Sequence, residues 1–244
     1  VNPYDSQNVP LVPLVGIDGC PHGWVAATWH TESDQYAITL HSSFAELLAA
    51  LPRAACYAID IPIGLPDSSP RDADRSARRF IGPRGSSVFP TPVRSAVALD
   101  TYAEASAQSF KVSGKKIGKQ TFNIMPKIRE VDEALQRDPA LRTRVVEIHP
   151  EVSFTCLNHG VPMSHPKRTE AGRVERLALL SPKAQQAYQT AMEQLRRNDV
   201  ASDDIIDALA AVWSAQRVVS GTAQHFPGGP PISDATGLLM RIVA

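Results

Sequence analysis

Three apolar runs follow one another near the start of the chain with few residues between them: Leu11 to Asp18, Trp24 to Trp29 and Tyr36 to Leu40. Connections this short oblige neighbouring strands to run back and forth, so the runs predict an antiparallel meander. Ser43 can cap the next segment, where Phe44, Leu47, Leu48 and Leu51 recur at helical spacing until Pro52 stops it. Cys56 to Asp60 then reads as a short buried strand. A strand reached through a crossover helix lies parallel to its partner, which puts this fourth strand beside the first. With Arg144 to Ile148 as a fifth strand, the expected class is α/β: a five-stranded mixed sheet, three antiparallel strands and then two parallel ones, flanked by helices.

Five carboxylates punctuate these elements. Asp18 closes the first strand, Asp60 the fourth, Glu147 lies in the fifth, and Asp204 and Asp207 open a late helix. Because the first and fourth strands are parallel neighbours, Asp18 and Asp60 finish on one edge, where open α/β sheets gather their ligands. Unpaired charge at the inner end of an apolar strand is costly, so such a cluster calls for a cation. Mg²⁺ or Mn²⁺ suits carboxylate oxygens and leaves positions for phosphate and water. Asp204 and Asp207 are three apart and share a helix face. The plainer account is that Asp203 and Asp204 only complement the helix dipole, with Asp203 as N-cap and Gly221 just past the other end. Two ions held by carboxylates from separate segments would activate water and stabilise a leaving oxygen in phosphodiester hydrolysis, with Asp18 as the bridging ligand.

Between Pro62 and Gln120 the chain turns rich in Pro, Gly, Ser and Arg, which predicts an insertion at about 62–125 carrying helices near 72–80 and 96–109. Pro126 is expected to open a helix from Lys127 to Leu135. Lys127 and Arg129 could aim charge at a phosphate or simply form a solvated face. His149 could relay a proton or touch phosphate beside Glu151, or only cap the helix that Pro150 starts and Gly160 ends. Arg84, Ser86 and Ser87 lie in a loop able to cradle an anion, or in an ordinary hydroxyl-bonded turn. Pro182 to Arg197 reads as a polar helix facing solvent or a partner, and Leu238 to Val243 as a return to the domain after a turn at Asp234.

At 244 residues with a 43% hydrophobic fraction, the chain is long enough for a substantial core. Residues 1–10 are expected to be a loosely held polar leader, and 11–244 a single domain with its insertion. Net charge is zero, which counts against tight nonspecific DNA binding, although the middle is basic and the carboxylate candidates acidic. Cys20, Cys56 and Cys156 lack CxxC spacing, excluding a zinc ribbon and fitting a reducing cytoplasm. No apolar run is long enough to span a bilayer, and no GxxxxGK[ST] run predicts a P-loop. Oligomerisation is left open.

The chain also resembles the DUF429 family, described as predicted ribonuclease H-like nucleases, from about Val15 onward. The resemblance rests on Gly16-Ile17-Asp18-Gly19-Cys20 with Gly23-Trp24-Val25, on Ile59-Asp60-Ile61-Pro62-Ile63-Gly64-Leu65-Pro66, and on Ser86-Ser87-Val88-Phe89-Pro90. It continues in Asn123 to Glu130, in Glu147-Ile148-His149-Pro150-Glu151, and in Asp204 through Asp207 to Ala211. It implies a ribonuclease H-like domain and a metal-dependent nuclease or phosphodiesterase. Asp18, Asp60, Glu147, Asp204 and Asp207 would then hold Mg²⁺ or Mn²⁺, Lys127 and His149 would address the scissile phosphate, and Arg84, Ser86, Ser87, Arg129 and Glu151 would contact substrate. The substrate would be nucleic acid or a phosphorylated small molecule. Folds of this kind also serve noncatalytic modules that bind nucleic acid or protein, and small-molecule phosphatases or phosphotransferases, so the fold alone does not choose.

Overall fold

The computed structural model describes residues 12–68, 70–230 and 232–244. The expected leader lies outside them. In chain order the elements are β1 (Leu14–Cys20), β2 (Gly23–His30), β3 (Gln35–His41), α1 (Phe44–Ala50), β4 (Cys56–Ile59), α2 (Asp72–Phe80), α3 (Arg94–Val97), α4 (Tyr102–Ser113), α5 (Lys119–Arg137), β5 (Val145–Ile148), α6 (Pro150–Leu157), α7 (Glu170–Leu177), α8 (Pro182–Gln194), α9 (Ser202–Val219), β6 (His225–Phe226) and β7 (Ile242–Val243). Short 3₁₀ turns cover Gly82–Ser87 and Leu141–Thr143. The fold is α/β, with a seven-stranded mixed sheet in the order β3-β2-β1-β4-β5-β7-β6. The meander is present: β1 pairs antiparallel with β2 and β2 with β3. So is the parallel pairing of β4 with β1 and of β5 with β4. The expected five strands fall short of the observed sheet by β6 and β7, two-residue strands too brief to leave a periodic signal. No helix among the described residues is long and apolar enough to cross a membrane.

The chain divides into two compact units. The first comprises the residues up to Asp60, Arg144–Gln224 and Val243–Ala244; the second comprises Ile61–Thr143 and His225–Ile242. The second unit is thus longer than the insertion expected at 62–125, and it also takes in a late segment.

In the first unit β1 and β2 are buried almost throughout, because helices cover both faces. Trp24 of β2 packs against Phe44 of α1 with ring centroids 6.0 Å apart. α9 is buried on every side from Ile205 to Gln216, as befits a helix at the centre of a domain. Ser43 caps α1 by accepting from the Glu46 N–H at 3.1 Å, as expected. α8 is less solvent-facing than its sequence suggests, since Ala184, Tyr188 and Ala191 are buried. At the start of α9, Ala201 holds the N-cap position instead of Asp203, and its N–H donates to the Asp204 carboxylate at 3.2 Å.

The second unit is held by buried ion pairs. Arg71 bonds Asp74 at 2.6 Å and the Ile63 carbonyl at 2.8 Å. Asp74 also accepts from the Thr91 N–H at 2.8 Å. Arg94 grips Asp132 through two bonds of 2.8 and 3.0 Å and reaches Asp234. Asp234 in turn accepts from the N–H groups of Leu65, Thr236 and Leu238, which makes the expected turn an anchoring hub. Two expectations fail here. The helix foreseen at 96–109 is two helices, because the Thr101 hydroxyl caps α4 by accepting from the Glu104 N–H. Pro126 does not open its helix but lies inside α5. Its cost of roughly 3 kcal/mol is outweighed by a buried stripe of Thr121, Met125, Ile128, Val131 and Leu135.

Candidate active site

The site starts from Gly16. A Cβ there would stand 2.0 Å from the Ala208 carbonyl oxygen and 2.4 Å from the Val212 nitrogen, so α9 rests directly on the backbone of β1. Only glycine permits this approach. Two residues on, Asp18 shares the face of Gly16, and Asp207, next to Ala208, lies along the same contact. The Asp60 N–H donates to the Ile17 carbonyl at 3.0 Å, continuing the parallel ladder one residue beyond β4 and bringing Asp60 level with Asp18. The His22 N–H donates to the Asp199 carbonyl at 3.1 Å, tying the β1–β2 turn to the segment leading into α9. Asp18 is 7% exposed and Asp207 1%.

A lysine that the sequence reading did not single out completes the cluster. Lys167 Nζ lies 2.6 Å from Asp207 Oδ2 and 3.8 Å from Asp203 Oδ2. Its loop is clamped by α7: the N–H groups of Ser164 and His165 donate to Glu175 at 2.7 and 2.9 Å, and Arg176 donates to the His165 carbonyl at 3.1 Å. The signal was slight. It amounts to a Lys167-Arg168 pair just before Thr169, whose hydroxyl caps α7 by accepting from the Gly172 N–H.

Charges interact strongly here. Burial pushes the Asp18 carboxyl well above the usual range, and the neighbouring Asp60 and Asp207 push it further. Burial, with Asp207, raises Asp60 to about 7 against the opposing pull of Lys167. Burial raises Asp204 to about 6. Burial pulls Lys167 down, but Asp207, Asp18 and Asp60 outweigh it and hold the ammonium above its ordinary value. Asp18, Asp60, Asp204, Asp207 and Lys167 therefore form one electrostatic unit.

The other sequence candidates divide. Glu147 is buried, but it pairs in register with Ile59, which pairs with Ile17. Paired residues of parallel strands share a face, so Glu147 lies on the side opposite Asp18 and Asp60. The charges that act on Asp60 are Asp207 and Lys167, not Glu147. The expectation of a fifth converging carboxylate is corrected by this one-residue register. Glu151 is engaged inside the domain: it pairs with Arg176, which is 1% exposed, donates to the Gly172 carbonyl at 2.9 Å and lies over the Phe154 ring at 5.7 Å. His149 stands at the N-cap position of α6, but its side chain makes no capping bond there.

Arg84, Ser86, Ser87, Lys127 and Arg129 belong to the second unit. The Ser87 hydroxyl donates to the Arg84 carbonyl at 2.8 Å, forming the hydroxyl-bonded turn that the sequence allowed. Ser86 is exposed on the same 3₁₀ turn. Arg129 pairs with Asp100 at 2.7 Å, and Lys127 lies one residue past Pro126 within α5.

A family model described as a protein of unknown function, DUF429, matches residues 16–232. The chain belongs to the DUF429 family. The DUF429 match spans both units and takes in every residue of the carboxylate cluster together with Lys167. No curated protein and no solved structure matches the chain. Among the described residues of this DUF429 protein, no three acidic, histidine or cysteine side chains are arranged to hold a metal ion as they stand. Lys167 holds the place of positive charge, and its bond to Asp207 closes the cluster.

Proposed function

We propose that this chain is a divalent-metal-dependent phosphodiester hydrolase of ribonuclease H-like type, acting as a nuclease or on a small phosphoester. The observation that carries this reading is four neighbouring carboxylates, Asp18, Asp60, Asp204 and Asp207, set against the single ammonium of Lys167. The raised values of Asp18 and Asp60 mean that, without another cation, the cluster relieves its surplus negative charge by taking up protons. The donors are all carboxylate oxygens, which suits Mg²⁺ or Mn²⁺ and not a soft metal. Three antiparallel strands followed by two parallel ones, with acids at the ends of β1 and β4, is also the ribonuclease H-like arrangement.

Asp18, Asp60 and Asp207 would hold the metal, and Asp204 would support them from the first turn of α9. When bound, divalent ions supply an activated water and stabilise the leaving oxygen. The chain's own part is to keep three acids at fixed height on β1, β4 and α9. Lys167 would have to release Asp207, and its ammonium would then be placed to receive a phosphate oxygen of the substrate.

A second reading draws on the Lys167–Asp207 bond itself: a noncatalytic module in which the lysine permanently replaces a metal. Calorimetry with Mn²⁺ at pH 8, joined to cleavage assays on RNA, DNA and a small phosphodiester, separates the two. Saturable Mn²⁺ binding, with hydrolysis lost in Asp18→Asn while the fold persists, is the expected result. Absence of Mn²⁺ binding, or full activity in Asp18→Asn, removes the hydrolase reading.

A further inference from the structure

The positive charge of the second unit falls into two groups. That unit carries fifteen Lys and Arg against ten Asp and Glu, and because the whole chain is neutral the first unit carries the opposite excess. Several of its arginines serve the fold: Arg71 pairs with Asp74, Arg94 with Asp132, Arg129 with Asp100 and Arg137 with Glu133. Lys111, Lys115, Lys116 and Lys119 do not. All four are exposed, and none forms an ion pair among the described residues. The sequence offers no acid beside them, since no Asp or Glu occurs between Glu104 and Glu130, and Glu104 is engaged by the Thr101 hydroxyl at 2.6 Å.

An independent observation comes from the aromatic rings. Phe110, one residue before Lys111 near the end of α4, is 55% exposed, and Phe89 is 42% exposed. Neither takes part in a ring pair among the described residues, whereas Tyr102 of the same helix meets the Phe122 ring edge-on at 5.7 Å and donates to the Ile117 carbonyl at 3.1 Å. A cavity of about 90 Å³ shows that the two phenylalanine segments are neighbours. Pro90, next to Phe89, lines it together with Ser109, next to Phe110, and with Lys115 and Lys116. The lysine loop is ordered by its own bonds: the Ser109 hydroxyl donates to the Lys115 carbonyl at 2.7 Å, and the Lys115 N–H donates to the Ser113 hydroxyl at 3.3 Å.

We propose that this face of the second unit binds single-stranded nucleic acid, with bases stacked on Phe110 and Phe89 and phosphates held by Lys111, Lys115, Lys116 and Lys119. The rings decide the partner. Ammonium groups draw any polyanion, but a bare aromatic face gains from one whose bases are unpaired, and a duplex keeps those faces within its own stack. An acidic polypeptide would engage the lysines and leave the rings idle. A membrane surface calls for a broad apolar face, and α4 exposes only Ala103 and Ala107 beside its one phenylalanine. The proposal rests on the hydrolase reading for what becomes of the bound strand, and it gives that reading a substrate class.

The test is fluorescence anisotropy on the full chain in EDTA, with a labelled single-stranded oligonucleotide and its duplex as ligands and with polyglutamate and phosphatidylserine vesicles as competitors. The single strand binds saturably and at least ~10-fold tighter than the duplex. Phe110→Ala weakens it about fivefold or more, the loss of one stacked base, without changing the salt dependence, and Phe89→Ala acts in the same direction. Lys115→Gln/Lys116→Gln makes the slope of log affinity against log salt shallower by about 1.4, the counterions of two phosphates on a single strand. These side chains are exposed, so the variants keep the fold, and Asp18→Asn leaves binding unchanged. Absence of saturable binding, a duplex bound as well as the single strand, parental affinity in Phe89→Ala/Phe110→Ala, or stronger competition from polyglutamate or vesicles overturns the proposal. A strand bound in EDTA, with neither it nor a small phosphodiester cut in Mn²⁺, supports this surface and removes the hydrolase reading. A small phosphodiester cut in Mn²⁺ by a chain that binds no strand removes this proposal alone.

Discussion

Lys167 Nζ stands 2.6 Å from Asp207 Oδ2, and Asp207 is 1% exposed. One partner of this pair is a buried acid on a central helix, and the other is a half-exposed side chain on a clamped loop. The asymmetry decides what each substitution should do. Removing the lysine strands a buried charge, whereas removing one of the acids relieves repulsion.

Lys167→Met should destabilise the metal-free chain, by less than the about 3–5 kcal/mol of a fully buried pair, because the Lys167 side chain is 36% exposed and solvent screens its charge. If the cluster binds Mn²⁺, the ion should restore more stability to this variant than to the parent, and should bind it more tightly. Urea denaturation in EDTA and in Mn²⁺, with calorimetry, checks both. Equal Mn²⁺ affinity in the two chains would show that Lys167 and the ion do not compete.

Stability should fall with rising pH across the cluster's titration. Asp60 has its folded value near 7 against an ordinary 3.8, so between these limits the folded chain holds more protons than the unfolded one. Its stabilising effect is complete below the unfolded value and is lost as pH rises through about 7. In EDTA, stability at pH 5 should exceed that at pH 8 by on the order of 2 kcal/mol from this term, and Asp60→Asn should flatten the difference. Because metal and protons compete for the same oxygens, apparent Mn²⁺ affinity should rise over the same interval.

Gly16→Ala should be among the most damaging single changes. A methyl group at 2.0 Å from the Ala208 carbonyl oxygen cannot be absorbed by a rotamer, because it meets backbone. α9 would have to lift off β1, at a cost of ~3 kcal/mol or more, read as a lowered denaturation midpoint. A midpoint within error of the parent would mean that the helix moves freely.

Glu151→Gln tests whether that residue belongs to the chemistry. Its bond with buried Arg176 joins α6 to α7, so the substitution should cost ~3–5 kcal/mol of stability and leave Mn²⁺ binding within twofold. A folded, stable variant with altered substrate affinity would return Glu151 to the site.

Much of this architecture was legible because it depends on short-range pattern. The spacing of Leu14, Trp24 and Tyr36 sets the meander, and the crossover through α1 obliges β4 to lie against β1, which brings Asp18 and Asp60 level. Asp207 could be foreseen from its place among apolar residues of α9. Glu147 was misjudged because facing in a strand changes with every residue, and no sequence pattern distinguished a register with Asp60 from the observed one with Ile59. Pro126 misled for a related reason: its local preference for a helix start yields to the packing of Met125, Ile128 and Val131. Lys167 was invisible because it reaches Asp207 across 40 residues from a loop whose course is set by Glu175 and Arg176.

The bare glycine under α9 also bears on ion choice. With helix and strand in backbone contact, the span between the jaws that carry Asp207 and Asp18 is fixed by main chain, leaving only side-chain rotation to adapt to a guest. If the cluster takes a metal as proposed, a frame with so little give would act as a gauge of ionic radius, rewarding a small cation and handicapping a larger one such as Ca²⁺.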